Sequence, residues 1–234
     1  MTAEASAQPV PSLGPAGCAL ALDTDDLDRA LGLARTLRPW FGIAKVGLEL
    51  FGAVGPHAVL SLRDEGFEVF VDLKLHDIPN TVARAARSLA GLGARYVTMH
   101  AAGGADMLRA GTEGLAGATR PAGTEPPLAL AITVLTSDSV AEAELLARRA
   151  RDAAAAGCGG VVCATADLPA IRAAASGLLR VVPGIRPRGA VADDQARVAT
   201  PAGAVAAGAD ILVIGRPVTA AADPAAAAAA LLAG

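Results

Sequence analysis

The sequence predicts a single-domain α/β fold, a TIM (β/α)8 barrel, and three observations carry that expectation. Apolar runs with β-branched residues recur eight times along the chain. Helix-forming segments fit between them, one to an interval. A length of 234 residues suits one barrel with a substantial core.

In order, the first strand is read in "CALALD" (18–23), followed by the helical "DDLDRALGLARTL". "FGIAKVG" (41–47) is the second strand, and the helical segment after it carries His57. The third is "FEVFVDLKL" (67–75), the fourth "YVTMHA" (96–101) and the fifth "LALAITVL" (128–135). Helical "SVAEAELLARRARDAAAAG" leads from there to "GGVVCA" (159–164). The last two strands are "LRVVPGI" (179–185) and "ADILVIG" (209–215). The alanine-dense end, "TAAADPAAAAAALLAG", is read as a terminal helix, since alanine is the best helix former. A doubly wound sheet is the competitor. Its glycine fingerprint is missing where the first strand runs into "LDTDD", and no G-x-x-x-x-G-K-[ST] occurs.

Residues 1–15, "MTAEASAQPVPSLGP", have neither the positive start nor the apolar centre of a signal peptide and are read as a flexible tail, with 16–234 forming the barrel. No run is long and apolar enough to span a bilayer, so a cytoplasmic protein without a membrane partner is expected. A net charge of -3 with 3% aromatic residues offers neither a basic surface for a phosphate backbone nor stacking platforms for bases, which sets nucleic acid aside. Cys18, Cys158 and Cys163 sit in apolar runs without a Cys-x-x-Cys or a histidine cluster, as suits buried thiols rather than a zinc site.

A barrel places its active site at the C-terminal ends of the strands, and polar residues collect there. Asp23 closes the first strand, Lys45 lies near the end of the second, and Thr136 follows the fifth. Asp72 and Lys74 interrupt an otherwise buried third strand, with Asp77 just beyond. Residues two apart on a strand share a face, so this carboxylate and ammonium project into one space. On an exposed face they would be an ordinary ion pair. Among apolar neighbours, unpaired charge costs several kcal/mol and persists when paired or functional.

Loops after the seventh and eighth strands frequently bind phosphate in this fold. Here they read "PGIRPRG" and "IGRPVTAAADP", placing Arg216 after Gly215, and Pro217 at a first helical position. Between them "RPRGAVADDQARV" is long and polar enough to fold over a ligand, bringing Gln195 to the phosphate. His76 is read as support for the charged residues, His100 as orienting its neighbours and His57 as a surface residue.

"FVDLKLHDIPNTV", with "LALD", "AKVG", "VLTS", "VVPGIRPRG...DDQ" and "VIGRPV", resembles orotidine 5'-phosphate decarboxylase of the bacterial type, from Cys18 to Pro217. The resemblance implies decarboxylation of orotidine 5'-monophosphate to UMP without metal or other cofactor. Lys45, Asp72, Lys74 and Asp77 would form an alternating charge array, with Asp77 and Thr81 reaching the site of the second subunit of a homodimer. Asp23 and Lys45 would hold ribose hydroxyls, Thr136 and Pro183 would face the pyrimidine, and Arg186, Gln195, Gly215 and Arg216 would bind the phosphate. Loss of CO2 leaves a carbanion at C6 that the ring delocalises poorly. A fixed ammonium at Lys74 can stabilise that charge and then protonate C6. Asp72 would press on the departing carboxylate and, with Asp77, counter the desolvation of Lys74.

Two rival readings remain open. Metal-dependent sugar-phosphate decarboxylases or aldolases share D-x-K-x-x-D on the same barrel but use a glutamate at the end of the second strand. Lys45 stands there instead and would repel Mg²⁺, while Glu49, four residues on, keeps the metal reading open. The other rival is a catalytically silent nucleotide-phosphate binding barrel, since fold alone never proves function.

Overall fold

The computed structural model describes residues 13–135, 142–189 and 197–233. Eight parallel strands close into a barrel in chain order: β1 (Cys18–Ala21), β2 (Ile43–Gly47), β3 (Glu68–Leu75), β4 (Tyr96–His100), β5 (Leu128–Ile132), β6 (Gly160–Val162), β7 (Leu179–Val182) and β8 (Ile211–Ile214), with β1 pairing β8. The helices between them are α1 (Leu27–Leu37), α2 (Leu48–Val54), α3 (Pro56–Asp64), α4 (Pro79–Gly91), α5 (Gly104–Ala116), α6 (Ala143–Ala155), α7 (Leu168–Ala174) and α8 (Pro201–Ala207). A short α9 (Arg216–Thr219) and α10 (Pro224–Leu232) follow the last strand. All the expected strands are present, and the alanine-rich end is helical.

Local chemistry explains where several helices begin. Asp26 accepts a hydrogen bond from the Arg29 amide at 3.1 Å and caps α1. Thr200 and Asp223 accept from the amides of Gly203 and Ala226, at 3.1 and 3.0 Å, each just before a proline that opens α8 or α10. Of the expected tail, residues 13–15 are described. Leu13 already packs on the core, and Pro15 opens a 3-10 turn whose carbonyl accepts from the Gly42 amide at 2.7 Å. Residues 1–12 lie outside the described residues.

Strand alternation divides the apolar residues into two layers. One face points into the barrel, where Ile43, Phe70, Tyr96, Leu130, Val181 and Ile211 pack together. The other meets the helices in a larger cluster that includes Leu20, Val46, Val71, Val97, Val161 and Leu212. Each such side chain, fully buried, contributes roughly 1.5–3 kcal/mol. Cys18, Cys158 and Cys163 belong to this outer layer; burial pushes their thiols up, to about 11, 12 and 12 respectively.

Charged residues fix the strands at the end of the barrel opposite the site. Arg180, the second residue of β7, grips Asp210, just before β8, through Nε at 2.7 Å and Nη2 at 2.9 Å. Tyr96 donates its hydroxyl to Glu68 at 3.2 Å beneath the Arg95 guanidinium, which lies 5.1 Å from the ring centre. These contacts hold β3, β4, β7 and β8 in register below the apolar floor. Among the described residues no helix is long and apolar enough to cross a membrane.

The packing of α4 on α5 sets the position of the loop after β3, because α4 starts at Pro79, just beyond Asp77. Their approach is close enough that a Cβ on Gly114 would run into the carbonyl of Ala83. Backbone has no rotamer with which to yield, so Gly114→Ala is expected to destabilise the fold by about 1–3 kcal/mol. Chemical denaturation checks this, and a loss below about 0.5 kcal/mol would show that the two helices part freely.

Candidate active site

At the C-terminal end of the barrel the inward-facing positions turn from apolar to charged. Asp23 follows β1, Lys45 is on β2, and Asp72 and Lys74 are on β3. Lys45 Nζ lies 3.1 Å from Asp23 Oδ1 and 3.6 Å from Asp72 Oδ2, and Lys74 Nζ lies 2.9 Å from the same Asp72 oxygen. Charges therefore alternate Asp23, Lys45, Asp72, Lys74 within one chain. Gly47 makes room for the first pair: a Cβ there would stand 3.1 Å from Asp23 Oδ1 and 3.2 Å from Lys45 Nζ.

Asp72 and Lys74 do meet, but not by the regular pleat that their spacing implies. The register of β3 on β4 slips from Val71 opposite Val97 to Leu75 opposite Met99. Asp72, Leu73 and Lys74 thus bulge past Thr98 alone. Within the bulge Lys74 has φ 52°, a left-handed conformation that costs an L-residue roughly 1–3 kcal/mol. Thr98, fully buried, spans the gap. Its Oγ1 accepts from the Lys74 amide at 2.9 Å and donates to Asp72 Oδ1 at 3.0 Å. Sequence reading missed this residue, although a threonine between Val97 and Met99 at an inward position of β4 was the available signal.

Burial by itself pushes the Asp72 carboxyl up. The Lys45 and Lys74 ammonium groups, with hydrogen bonds from Lys74 and Thr98, overcome that and hold it below the ordinary aspartate range. Asp72 is consequently an anion fixed at both oxygens, one by ammonium and one by hydroxyl.

Asp23, Lys45, Gly47, Asp72 and Lys74 line a cavity of 660 Å³, a size ordinary for a small-molecule site. Phe70, Ile132, Val162 and Val213 form its apolar wall, and Pro183, Arg186, Gly215 and Arg216 line the side beneath the last two strand ends. Arg186 is buried, with Nη1 donating to the Ile185 carbonyl at 3.0 Å, while Arg216 is exposed at the start of α9. Glu49 also lines the cavity from the first turn of α2.

Asp77 and Thr81 are not in this chain's cavity. Both are exposed, in a run of exposed residues from 76 to 81, and Asp77 Oδ1 accepts from the Ile78 amide at 2.7 Å. Thr136 and Gln195 lie outside the described residues. Flanking those segments, Arg197 pairs with buried Asp167 at 2.6 Å and donates to the Leu135 carbonyl at 3.2 Å, another tie that the sequence did not announce. β3 ends at Leu75, so His76 does not continue inward. Its ring stacks on His100, with centroids 5.3 Å apart and planes 18° apart, and His100 Nδ1 accepts from the Ala102 amide at 3.2 Å. His57 is exposed on α3.

With this geometry in place, comparison with known proteins is specific. A family model described as orotidine 5'-phosphate decarboxylase / HUMPS family matches residues 18–231. Orotidine 5'-phosphate decarboxylase of Anaeromyxobacter dehalogenans is 51% identical over 225 residues, covering 92% of this chain and 96% of that one. The Halorhodospira halophila protein of the same name is 49% identical, covering 94% and 96%. A crystal structure of orotidine 5'-phosphate decarboxylase from Lactobacillus acidophilus superimposes with a TM-score of 0.78 at 35% identity, covering 92% of this chain and 96% of that one. By its fold, its matched length and this similarity, the chain belongs to the orotidine 5'-phosphate decarboxylase / HUMPS family.

Proposed function

We infer that the protein decarboxylates orotidine 5'-monophosphate to UMP and CO2, a step of pyrimidine biosynthesis. The observation that carries this reading is the alternating run Asp23, Lys45, Asp72, Lys74 at a barrel mouth, in a chain similar by about half its residues to decarboxylases of that name. A cytoplasmic location accords with such an activity.

The cavity supports one orientation of substrate. Arg186 and Arg216 supply guanidinium groups at the strand ends where this fold commonly takes phosphate, and Gly215 leaves the backbone open beside them. Gln195 would add a phosphate contact. Asp23 and Lys45, paired at 3.1 Å, suit the ribose hydroxyls, one as acceptor and the other as donor. The pyrimidine then lies among Pro183 and the apolar wall, with C6 toward Lys74, and Thr136 would be a further contact to it. When the bond from C6 to the carboxylate carbon breaks, its electron pair stays on C6 and CO2 departs. The Lys74 ammonium stabilises that pair and gives it a proton, and the amine left behind is reprotonated from solvent. Asp72, anionic beside the departing carboxylate, disfavours the bound substrate more than the transition state, in which the negative charge has moved to C6.

Metal independence is part of this proposal. Lys45 puts an ammonium between Asp23 and Asp72, at 3.1 and 3.6 Å, where a divalent cation bridging those carboxylates would have to stand. Two charges of one sign exclude each other from that position. This favours the decarboxylase over the metal-dependent sugar-phosphate branch.

A homodimer completes the array. Asp77 and Thr81 stand on an exposed loop together with Ile78, a large apolar side chain 66% exposed. A twofold neighbour that covered Ile78 would receive Asp77 and Thr81 at the rim of its own cavity and return the same residues. Each site would then read Lys45, Asp72, Lys74 from one chain and Asp77 from the other.

The deciding experiment follows the ultraviolet absorbance of orotidine 5'-monophosphate with the purified protein. Lys74→Ala is expected to lower kcat by about 10²-fold to 10⁴-fold or more, while a product nucleotide still binds through the phosphate contacts. Activity within about tenfold of wild type would remove Lys74 as the acid.

Exhaustive EDTA should leave the wild-type rate unchanged. Loss on chelation, restored by Mg²⁺, would move the protein to the metal-dependent branch.

Mixing Lys74→Ala with Asp77→Asn chains under subunit exchange tests the shared site. If Asp77 acts across the dimer, each mixed dimer holds one doubly damaged and one wild-type site, and random mixing restores roughly a quarter of all sites. No recovery in verified mixed dimers would confine the array to a single chain.

A further inference from the structure

We propose that Thr98 is a positioning residue for the decarboxylation, acting through both Asp72 and Lys74 and touching no substrate atom itself. The inference rests on the reading of Lys74 as the proton donor. Its basis is the geometry of one hydroxyl. Thr98 Oγ1 accepts from the Lys74 amide at 2.9 Å and donates to Asp72 Oδ1 at 3.0 Å, inside a wall from which solvent is excluded.

A hydroxyl has one proton to give and lone pairs to receive, so both uses are compatible at once. The first replaces what the sheet has lost. Where β3 bulges between Val71 and Leu75, the regular ladder to β4 is interrupted, and the Lys74 amide would otherwise face a buried wall without an acceptor. The Thr98 oxygen takes the place of the missing carbonyl and holds Lys74 at φ 52°. That conformation aims the lysine stem so that Nζ reaches Asp72 Oδ2 at 2.9 Å.

The second use fixes the rotation of the carboxylate. Lys45 and Lys74 both address Oδ2, at 3.6 and 2.9 Å, and leave Oδ1 to Thr98. Without that donor the carboxylate can turn about its own axis, and the ammonium that follows it moves too. Positional errors of this kind are costly in a preorganised site, because the stabilising charge must already stand where the electron pair develops. Thr98 itself is rigid: β-branching restricts its side-chain torsion, and its strand is paired on the far side with β5 through Leu130.

Thr98→Val keeps the shape and removes the hydroxyl; Thr98→Ser keeps the hydroxyl and removes the methyl. Thr98→Val is expected to lower kcat about 10- to 100-fold, with KM and UMP affinity changed by less than about threefold, and Thr98→Ser to recover most of kcat. A role confined to folding would instead move the melting temperature, and would make serine, which leaves the larger void, no better than valine. If Thr98→Val does not fold, Thr98→Ala is compared with Thr98→Ser by the same criteria. The inference falls if the variant lacking the hydroxyl turns over within about twofold of wild type, or if Thr98→Ser is as slow as Thr98→Val. Lys74→Ala in parallel separates the two readings. Should it retain activity, the acid assignment fails and takes this inference with it; should it be inactive while Thr98→Val is not, the Thr98 inference fails alone.

Discussion

Two ammonium groups share one carboxylate oxygen at the mouth of this barrel, and the rest of the site is arranged around that shared contact. Asp72 is largely buried, and burial favours its protonated form, yet Lys45 and Lys74 keep it anionic. Neither ammonium could be held so close to the other without the charge between them. The arrangement therefore stands or falls as a unit. Removing Asp72 leaves the buried Lys45 without its inner partner, and removing either lysine leaves the largely buried Asp72 less compensated, a heavier loss than the pair contact alone would suggest.

A TIM barrel supplies what such an array needs. Its inward positions on successive strands converge, so Lys45 from β2 and Asp72 from β3 come together although 27 residues apart in sequence. Below them the interior is apolar and closed, with Phe70 beneath Asp72 on the same strand and Tyr96 packed edge-on against Phe70, centroids 6.0 Å apart. That floor excludes water from the underside of the charges and keeps their interaction strong. The opposite end of the barrel takes its own ion pairs, Arg180 with Asp210 and Arg95 with Glu68, at 2.7 and 3.5 Å. Stability and chemistry are thus assigned to opposite rims.

Much of this was legible in the chain because period and position carry it. Apolar runs marked every strand, and charged residues inside one of them, Asp72 and Lys74, were conspicuous because burial should have forbidden them. Arg186 and Arg216 followed from their place after the last two strands. What the sequence left obscure were contacts that depend on departures from regularity. The period-of-two argument put Asp72 and Lys74 on one face, whereas the chain reaches that outcome through a bulge and a left-handed Lys74. Nothing local signals either one, since lysine is not a residue that favours φ 52°. Thr98 was passed over for the same reason: its role exists only because the neighbouring strand is irregular. Asp23 was read as a ribose contact alone, and its second place, at the head of the charge run, needed the 3.1 Å approach of Lys45 to become visible.

The bulge also bears on the course of the loop after β3. A regular strand would have continued Lys74, His76 and the residues after them along one direction toward the mouth of the same barrel. Instead β3 ends at Leu75, His76 turns to stack on His100, and the chain runs exposed from 76 to 81 before α4 begins to pack on α5. Strain at a single residue thereby separates two acidic groups only five positions apart. Asp72 stays inside, bound by Lys45, Lys74 and Thr98; Asp77 is set outside, its carboxylate occupied by the Ile78 amide at 2.7 Å. On the proposed shared-site reading, an acid placed on the rim in this way would meet its positive group on a second chain rather than within its own. The D-x-K-x-x-D spacing thus places one acid in the cavity and one on the surface, and the left-handed lysine is the point at which it divides.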